Sequence, residues 1–136
     1  MEQLNVLDFI EVTGVFERKI NLALNYAGLR LPNFKALNYL EKTGKITVSD
    51  LSRAMSVTQA TTSVLANQLI KAGVVETIAN SSDKRSYYLK MTPLGLQRLD
   101  VARLEVALVE KKITNKLPQD LVKTLNHVSL LIKEEL

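Results

Sequence analysis

The chain has 136 residues, 46% apolar and 24% charged, which suits one soluble folding unit with its own core and leaves no room for two domains of ordinary size. With no cysteine and a single histidine, His127, it can form no disulfide, thiolate metal site or histidine cluster. Net charge is +4, but residues 30–98 hold ten Lys or Arg against four Asp or Glu while the rest holds eight against ten, so the middle of the chain is the part suited to a polyanion.

The first residues, Met1-Glu2-Gln3-Leu4-Asn5, lack the basic start and apolar run of a secretory signal. No apolar segment approaches membrane-spanning length, so a cytoplasmic location without a membrane partner is expected. Apolar residues at Val6, Phe9, Ile10, Phe16, Ile20, Ala23, Leu24 and Ala27 predict a long amphipathic helix over 5–27. Leu7, Val12, Val15 and Leu22 lie off that stripe, and a helix apolar on two faces needs two neighbours, its own subunit and a second chain. Gly28 stops it, and Pro32 opens a second helix over 33–42 with Phe34, Leu37 and Leu40 inward.

Lys45-Ile46 reads as a short extended link. Thr47 is the predicted N-cap of a helix over 48–55, with Asp50 at its third position, and Ser56-Val57 forms a tight turn. Thr58 caps the next helix, which runs to Ala72 and closes at Gly73. Placing Leu65 and Leu69 inward puts Thr62 and Ala66 beside them and leaves Ala60, Thr61, Ser63, Val64, Asn67, Gln68 and Lys71 outward. Two strand-length runs, 74–79 and 86–91, flank the polar tip Asn80-Ser81-Ser82-Asp83-Lys84-Arg85. Tyr87 and Tyr88 alternate on the second run, so one is expected in the core and the other toward solvent or phosphate. Thr92-Pro93 opens a long helix to about residue 115, and Pro118 starts a last one with Leu121, Val122, Leu125, Val128, Leu131, Ile132 and Leu136 on its apolar side. His127 is expected on the surface or at a subunit contact, and Lys111-Lys112 as a solvated pair near a helix end.

The fold class that follows is mainly α with a small β-hairpin wing: a winged helix-turn-helix over 32–92, with 1–31 and 93–136 as a helical dimerisation part, the whole forming one domain. A helix sized for the major groove beside a basic hairpin makes one continuous surface for a duplex. The series Thr47-x-x-Asp50-Leu51, Val57-Thr58, Leu65, Leu69, Gly73-Val74-Val75-Glu76, Asp83-Lys84-Arg85 and Met91-Thr92-x-x-Gly95 resembles the winged helix-turn-helix regulators of the multiple antibiotic resistance regulator (MarR) family over nearly the whole chain. The resemblance implies a homodimer whose terminal helices interlock, binding double-stranded DNA at a pseudo-palindromic operator, usually as a repressor relieved by a small lipophilic or phenolic effector. No cofactor or metal is implied. Relief requires the effector to prefer the state that cannot bind DNA.

By the same resemblance, Thr58, Gln59, Ala60, Thr61, Ser63, Val64, Asn67 and Gln68 face DNA from the second helix of the motif, and Lys84 and Arg85 from the wing. Hydroxyls and amides at a helix start grip phosphate or read base edges, Gln59 suits adenine with Gln68 as a second candidate, and Arg85 suits a narrow minor groove. Asp83, which DNA would repel, is assigned to orienting Arg85 or the turn. The bland alternative is an ordinary polar hairpin tip. Many relatives carry Arg where this chain has Val64 and Gln68, and a basic residue where it has Thr77. Fewer phosphate contacts mean lower affinity and a shallower salt dependence, and an exposed valine packs on thymine methyls, favouring A·T-rich sites.

Phe16, Tyr26 and Tyr39 are the candidate lining of an effector crevice, set against ordinary core packing as the commoner role of aromatic residues at helical spacing. Two other functions stay in view. A winged-helix module that pairs with a related regulator as an anti-repressor would explain the missing cations, whereas the intact wing opposes it. An enzyme is not expected, because there is no phosphate loop, nucleophile elbow, cysteine or histidine pair.

Overall fold

The computed structural model describes all of residues 1–136. Helix α1 (Val6–Leu24) starts at Asn5, whose side-chain oxygen accepts from the Asp8 amide at 3.1 Å, and ends in a 3-10 turn over Asn25–Ala27. Asn21 then accepts from the Leu31 amide at 2.8 Å, pinning the entry of α2 (Leu31–Thr43) to α1. This helix begins two residues before the predicted 33, so Pro32 lies within its first turn, where its missing N–H costs nothing.

The predicted link at Lys45-Ile46 is a third strand, β1 (Ile46–Thr47), followed by α3 (Val48–Met55) and α4 (Gln59–Lys71). Strands β2 (Val75–Ala79) and β3 (Tyr87–Met91) form the expected hairpin. β3 lies in the middle of the antiparallel order β1-β3-β2, with Ile46 opposite Leu89 and Val75 opposite Met91. Helices α5 (Pro93–Lys116) and α6 (Gln119–Glu135) complete the chain.

One core holds the winged part together. Leu24, Leu37, Leu40, Leu51, Val74, Leu89 and Leu99 are fully buried where the end of α1, α2, α3, α4, the sheet and the first half of α5 meet. Each such side chain contributes about 1.5–3 kcal/mol on leaving water. The joint between β2 and α5 explains Met91-Thr92-x-x-Gly95 physically. Thr92 caps α5 by accepting from the Gly95 amide at 3.1 Å, donates its hydroxyl to the Gly73 carbonyl at 2.6 Å, and sends its own amide to the Val74 carbonyl at 3.0 Å. A Cβ on Gly95 would lie 2.2 Å from that Val74 oxygen, so only glycine lets the helix come so close.

The two ends of the chain are different. Val6, Leu7, Phe9, Ile10, Val12, Val15 and Phe16 are all exposed, and α6 buries no residue. The stripe predicted for 5–27 is therefore core only at its end, in Ala23, Leu24 and Ala27 with Ile20 packed alongside. Most of a helix's stability in a protein comes from packing of its apolar face, and α6 has none of that within this chain's core.

Candidate nucleic-acid interface

Two threonine caps set the geometry. Thr47 accepts from the Asp50 amide at 3.1 Å to start α3, and Thr58 accepts from the Thr61 amide at 3.1 Å to start α4. Between the helices Ser56 takes φ 56°, a left-handed turn that costs a non-glycine residue about 1 kcal/mol and lets α4 leave at a sharp angle. The Gly73 backbone, at φ 77°, closes the other end of α4 and feeds β2.

α4 is divided by side. Thr62, Leu65, Ala66 and Leu69 are buried, while Ala60, Thr61, Val64, Asn67 and Gln68 are exposed, Val64 at 59%. Ser63 is half-buried at the edge of the wing groove. The Thr58 hydroxyl is already committed: it accepts from the Thr61 amide and donates to the Thr61 hydroxyl at 2.9 Å, so its part in the surface is to build the helix end.

The wing tip is held by short-range polar contacts. Asn80 accepts from the Ser82 amide at 3.1 Å and donates to the Ser86 hydroxyl at 3.0 Å. One carboxylate oxygen of Asp83 accepts from the Arg85 amide at 3.0 Å and from Arg85 Nε at 3.4 Å, with the Arg85 side chain 94% exposed. Asp83 thus orients the base of Arg85 while the guanidinium projects into solvent, and Lys84 is exposed beside it. Between wing and helices lies a polar groove of about 470 Å³, bordered by Ser49, Arg53, Gln59, Ser63, Arg85 and Tyr87.

Ser49 and Arg53 were not singled out from the sequence as part of this surface, and Tyr87 only as one of two tyrosines of which either could turn toward solvent or phosphate. Arg53 pairs with Asp50 one helical turn back and donates to the Ser49 hydroxyl at 3.3 Å; its i,i+3 spacing from Asp50 was the available signal. The expectation that one of the two wing tyrosines enters the core fails. Tyr87 shares the face of Leu89 and Met91 but lies past the end of the core and opens into the groove. Tyr88 is half-buried under Lys45, whose Nζ stands 4.4 Å from the ring centroid, a cation–π contact.

The three aromatic residues expected around one crevice are not gathered. Tyr26, 80% exposed, borders a cleft of about 730 Å³ between α1 and α5, also lined by Lys19, Leu108 and Lys112. Phe16 and Tyr39 do not line it: Phe16 points outward from α1, and Tyr39 packs on the core from α2. The three belong to three different elements, α1, the 3-10 turn and α2, each with its own neighbours. Lys111 and Lys112 are both exposed near the end of α5, as expected, with Lys112 also bordering this cleft, and His127 is exposed on α6. No three potential metal-ligating side chains come together, and no helix is long and apolar enough to cross a membrane.

Behind the surface, Arg103 of α5 clamps α2. Its guanidinium donates to both carboxylate oxygens of Glu41, at 2.7 and 3.1 Å, and to Asn38 at 2.7 Å. These hydrogen bonds hold the Glu41 carboxyl below the usual carboxylate range and strengthen the hold of Arg103 on its proton.

A helix-turn-helix whose second helix is exposed along one side, next to a two-stranded wing and between long terminal helices, defines the winged helix-turn-helix class. Residues 27–86 match the model of the MarR family. Its fold is that of MarR from E. coli in the apo form, with a TM-score of 0.82 at 23% identity over 97% of this chain and 98% of that one. A mutant E. coli MarR complexed with operator DNA matches with a TM-score of 0.82 at 24% identity, over 91% and 89% of the two chains. The YusO protein from Bacillus subtilis matches with a TM-score of 0.74 at 16% identity, over 94% and 91%. Comparison with curated proteins yields no match. The chain has the fold of MarR family transcription regulators.

Proposed function

We propose that the chain is a homodimeric, sequence-specific double-stranded DNA-binding repressor that acts on a pseudo-palindromic operator and is released by a small lipophilic effector. The observation that carries this reading is the unbroken exposed surface from Ala60, Thr61, Val64, Asn67 and Gln68 on α4, past Gln59 and Ser63, to Lys84 and the oriented Arg85 of the wing. Its chemistry suits a duplex: amides and Val64 can meet base edges, hydroxyls and Lys84 can meet phosphates, and Arg85 can enter the minor groove. The operator complex of a protein with this fold supports the same use of the surface.

Residues 32–92 are the DNA-binding part in this reading, and 1–31 with 93–136 the dimerisation part. The apolar residues left uncovered on α1 and α6 support a second copy as their cover, since so many exposed large apolar side chains are uncommon on a monomer. The effector enters beside Tyr26, the one of the three aromatics that borders a cleft within the roughly 300–1,000 Å³ of ordinary ligand sites. A second reading, a winged-helix module that binds a related regulator, draws on the exposed Val64, Gln68 and Thr77, which leave the outer side of α4 and β2 with little positive charge.

Recovery of bound fragments from sheared genomic DNA at two salt concentrations decides between them. The repressor reading expects enriched fragments sharing a two-fold, A·T-tolerant sequence. No enrichment at low salt, together with a stable complex with another winged-helix protein, favours the module.

A further inference from the structure

We propose that Ser49 is a positioning residue for sequence reading. Its hydroxyl holds Gln59, the first residue of α4, so that the amide carbonyl is free to select a base bearing an exocyclic amino group, adenine or cytosine. This rests on the DNA-binding reading above and adds to it a residue from outside α4 and the wing.

Ser49 stands in the first turn of α3, and its own position is fixed because its carbonyl accepts from the hydroxyl of buried Ser52 at 2.7 Å. The Ser49 hydroxyl oxygen accepts from Gln59 Nε2 at 3.2 Å and from Arg53 at 3.3 Å, and Arg53 is itself held by Asp50. A chain of four side chains, Asp50, Arg53, Ser49 and Gln59, therefore ties the first turn of α3 to the first turn of α4. An exposed glutamine held in place before binding loses less rotamer freedom when it meets a base.

Residues at the start of a helix-turn-helix reading helix are the ones that reach base edges. With its nitrogen turned to Ser49, Gln59 has its carbonyl oxygen without a partner in the chain, and that oxygen can only accept. Adenine N6 and cytosine N4 are the donors that the major groove offers to it, while guanine and thymine offer acceptors at the corresponding edge.

The test uses the full chain as wild type, Ser49→Ala, Gln59→Ala and the double variant, with a synthetic duplex selected by the wild type from a randomised pool. The base pair whose preference vanishes in Gln59→Ala is the one read by Gln59. At that pair Ser49→Ala is expected to cut discrimination about three- to tenfold. Preference elsewhere and the thermal midpoint should hold, and Ser49→Thr should restore the discrimination. In the Gln59→Ala background, Ser49→Ala is expected to change nothing further. Unchanged discrimination at that pair in Ser49→Ala, or an equal loss of affinity for the selected duplex in both backgrounds, overturns the inference alone. A wild type that selects no duplex overturns the DNA-binding reading and this inference with it.

Discussion

Gly95→Ala sets two opposing effects against each other at one atom. In an unobstructed helix the change stabilises by about 0.8–1 kcal/mol, because alanine is the better helix former. Here the new Cβ would meet the Val74 oxygen at 2.2 Å and Met91 Cγ at 2.6 Å, so α5 must retreat from the sheet by about an ångström to reach ordinary contact. Overpacking of this kind costs about 1–3 kcal/mol, and the retreat also loosens the Thr92 cap and its bonds to Gly73 and Val74, worth about 1 kcal/mol more. The net is a loss of about 1–3 kcal/mol, and for a chain of this length each kcal/mol lowers the midpoint by about 3–5 °C. Thermal unfolding followed by circular dichroism should show a midpoint lower by about 3–15 °C. A midpoint at or above that of the wild type would mean that helix propensity wins and that the close approach of α5 to β2 is wrong.

Arg85→Ala should leave the thermal midpoint nearly unchanged, because its side chain is 94% exposed, and weaken duplex binding about tenfold in a mobility-shift titration; unchanged affinity removes Arg85 from the surface. Val64→Arg, which places a cation on the exposed side of α4, should raise affinity at low salt and steepen the slope of log affinity against log salt by about 0.9; an unaltered slope would show that this side of α4 does not meet phosphate. The Arg103 hydrogen bonds lower the carboxyl pKa of Glu41 in the folded state, so the stability they add is present above the ordinary carboxylate pKa and is lost as pH falls below it. Glu41→Gln should therefore flatten the acid limb of the stability curve while changing its shape little near neutrality, and an acid limb identical to wild type would contradict the clamp.

Much of the fold was legible in the sequence because its signals are local. The caps at Thr47, Thr58 and Thr92 each accept from the amide three residues on, and the inward set Thr62, Leu65, Ala66 and Leu69 follows from helical phase alone. What escaped depends on partners distant in sequence. β1 is two residues long, too short for any periodicity, and is defined only by its pairing with β3. Arg103 and Glu41 lie 62 residues apart, and the link from Ser49 to Gln59 spans a turn whose angle is set by Ser56. Tyr87 obeys the alternation of its strand, yet the core ends before it, and strand phase says which face a residue takes but not where the neighbouring layer stops. Likewise, the stripe on α1 was correct in period, but period alone did not show that its first three turns lie beyond the body of the subunit.

The central claim is that two copies of this chain present two α4 helices and two wings to one face of a duplex, a geometry that fixes half-sites about 10 bp apart, centre to centre. The most direct measurement is the stoichiometry and affinity of the wild-type chain on a selected duplex, and on the same duplex with about half a helical turn inserted between the half-sites. The account predicts two chains per duplex and loss of tight binding on the lengthened site, since the insertion carries one half-site to the opposite face. One chain per duplex, or indifference to the insertion, would contradict it.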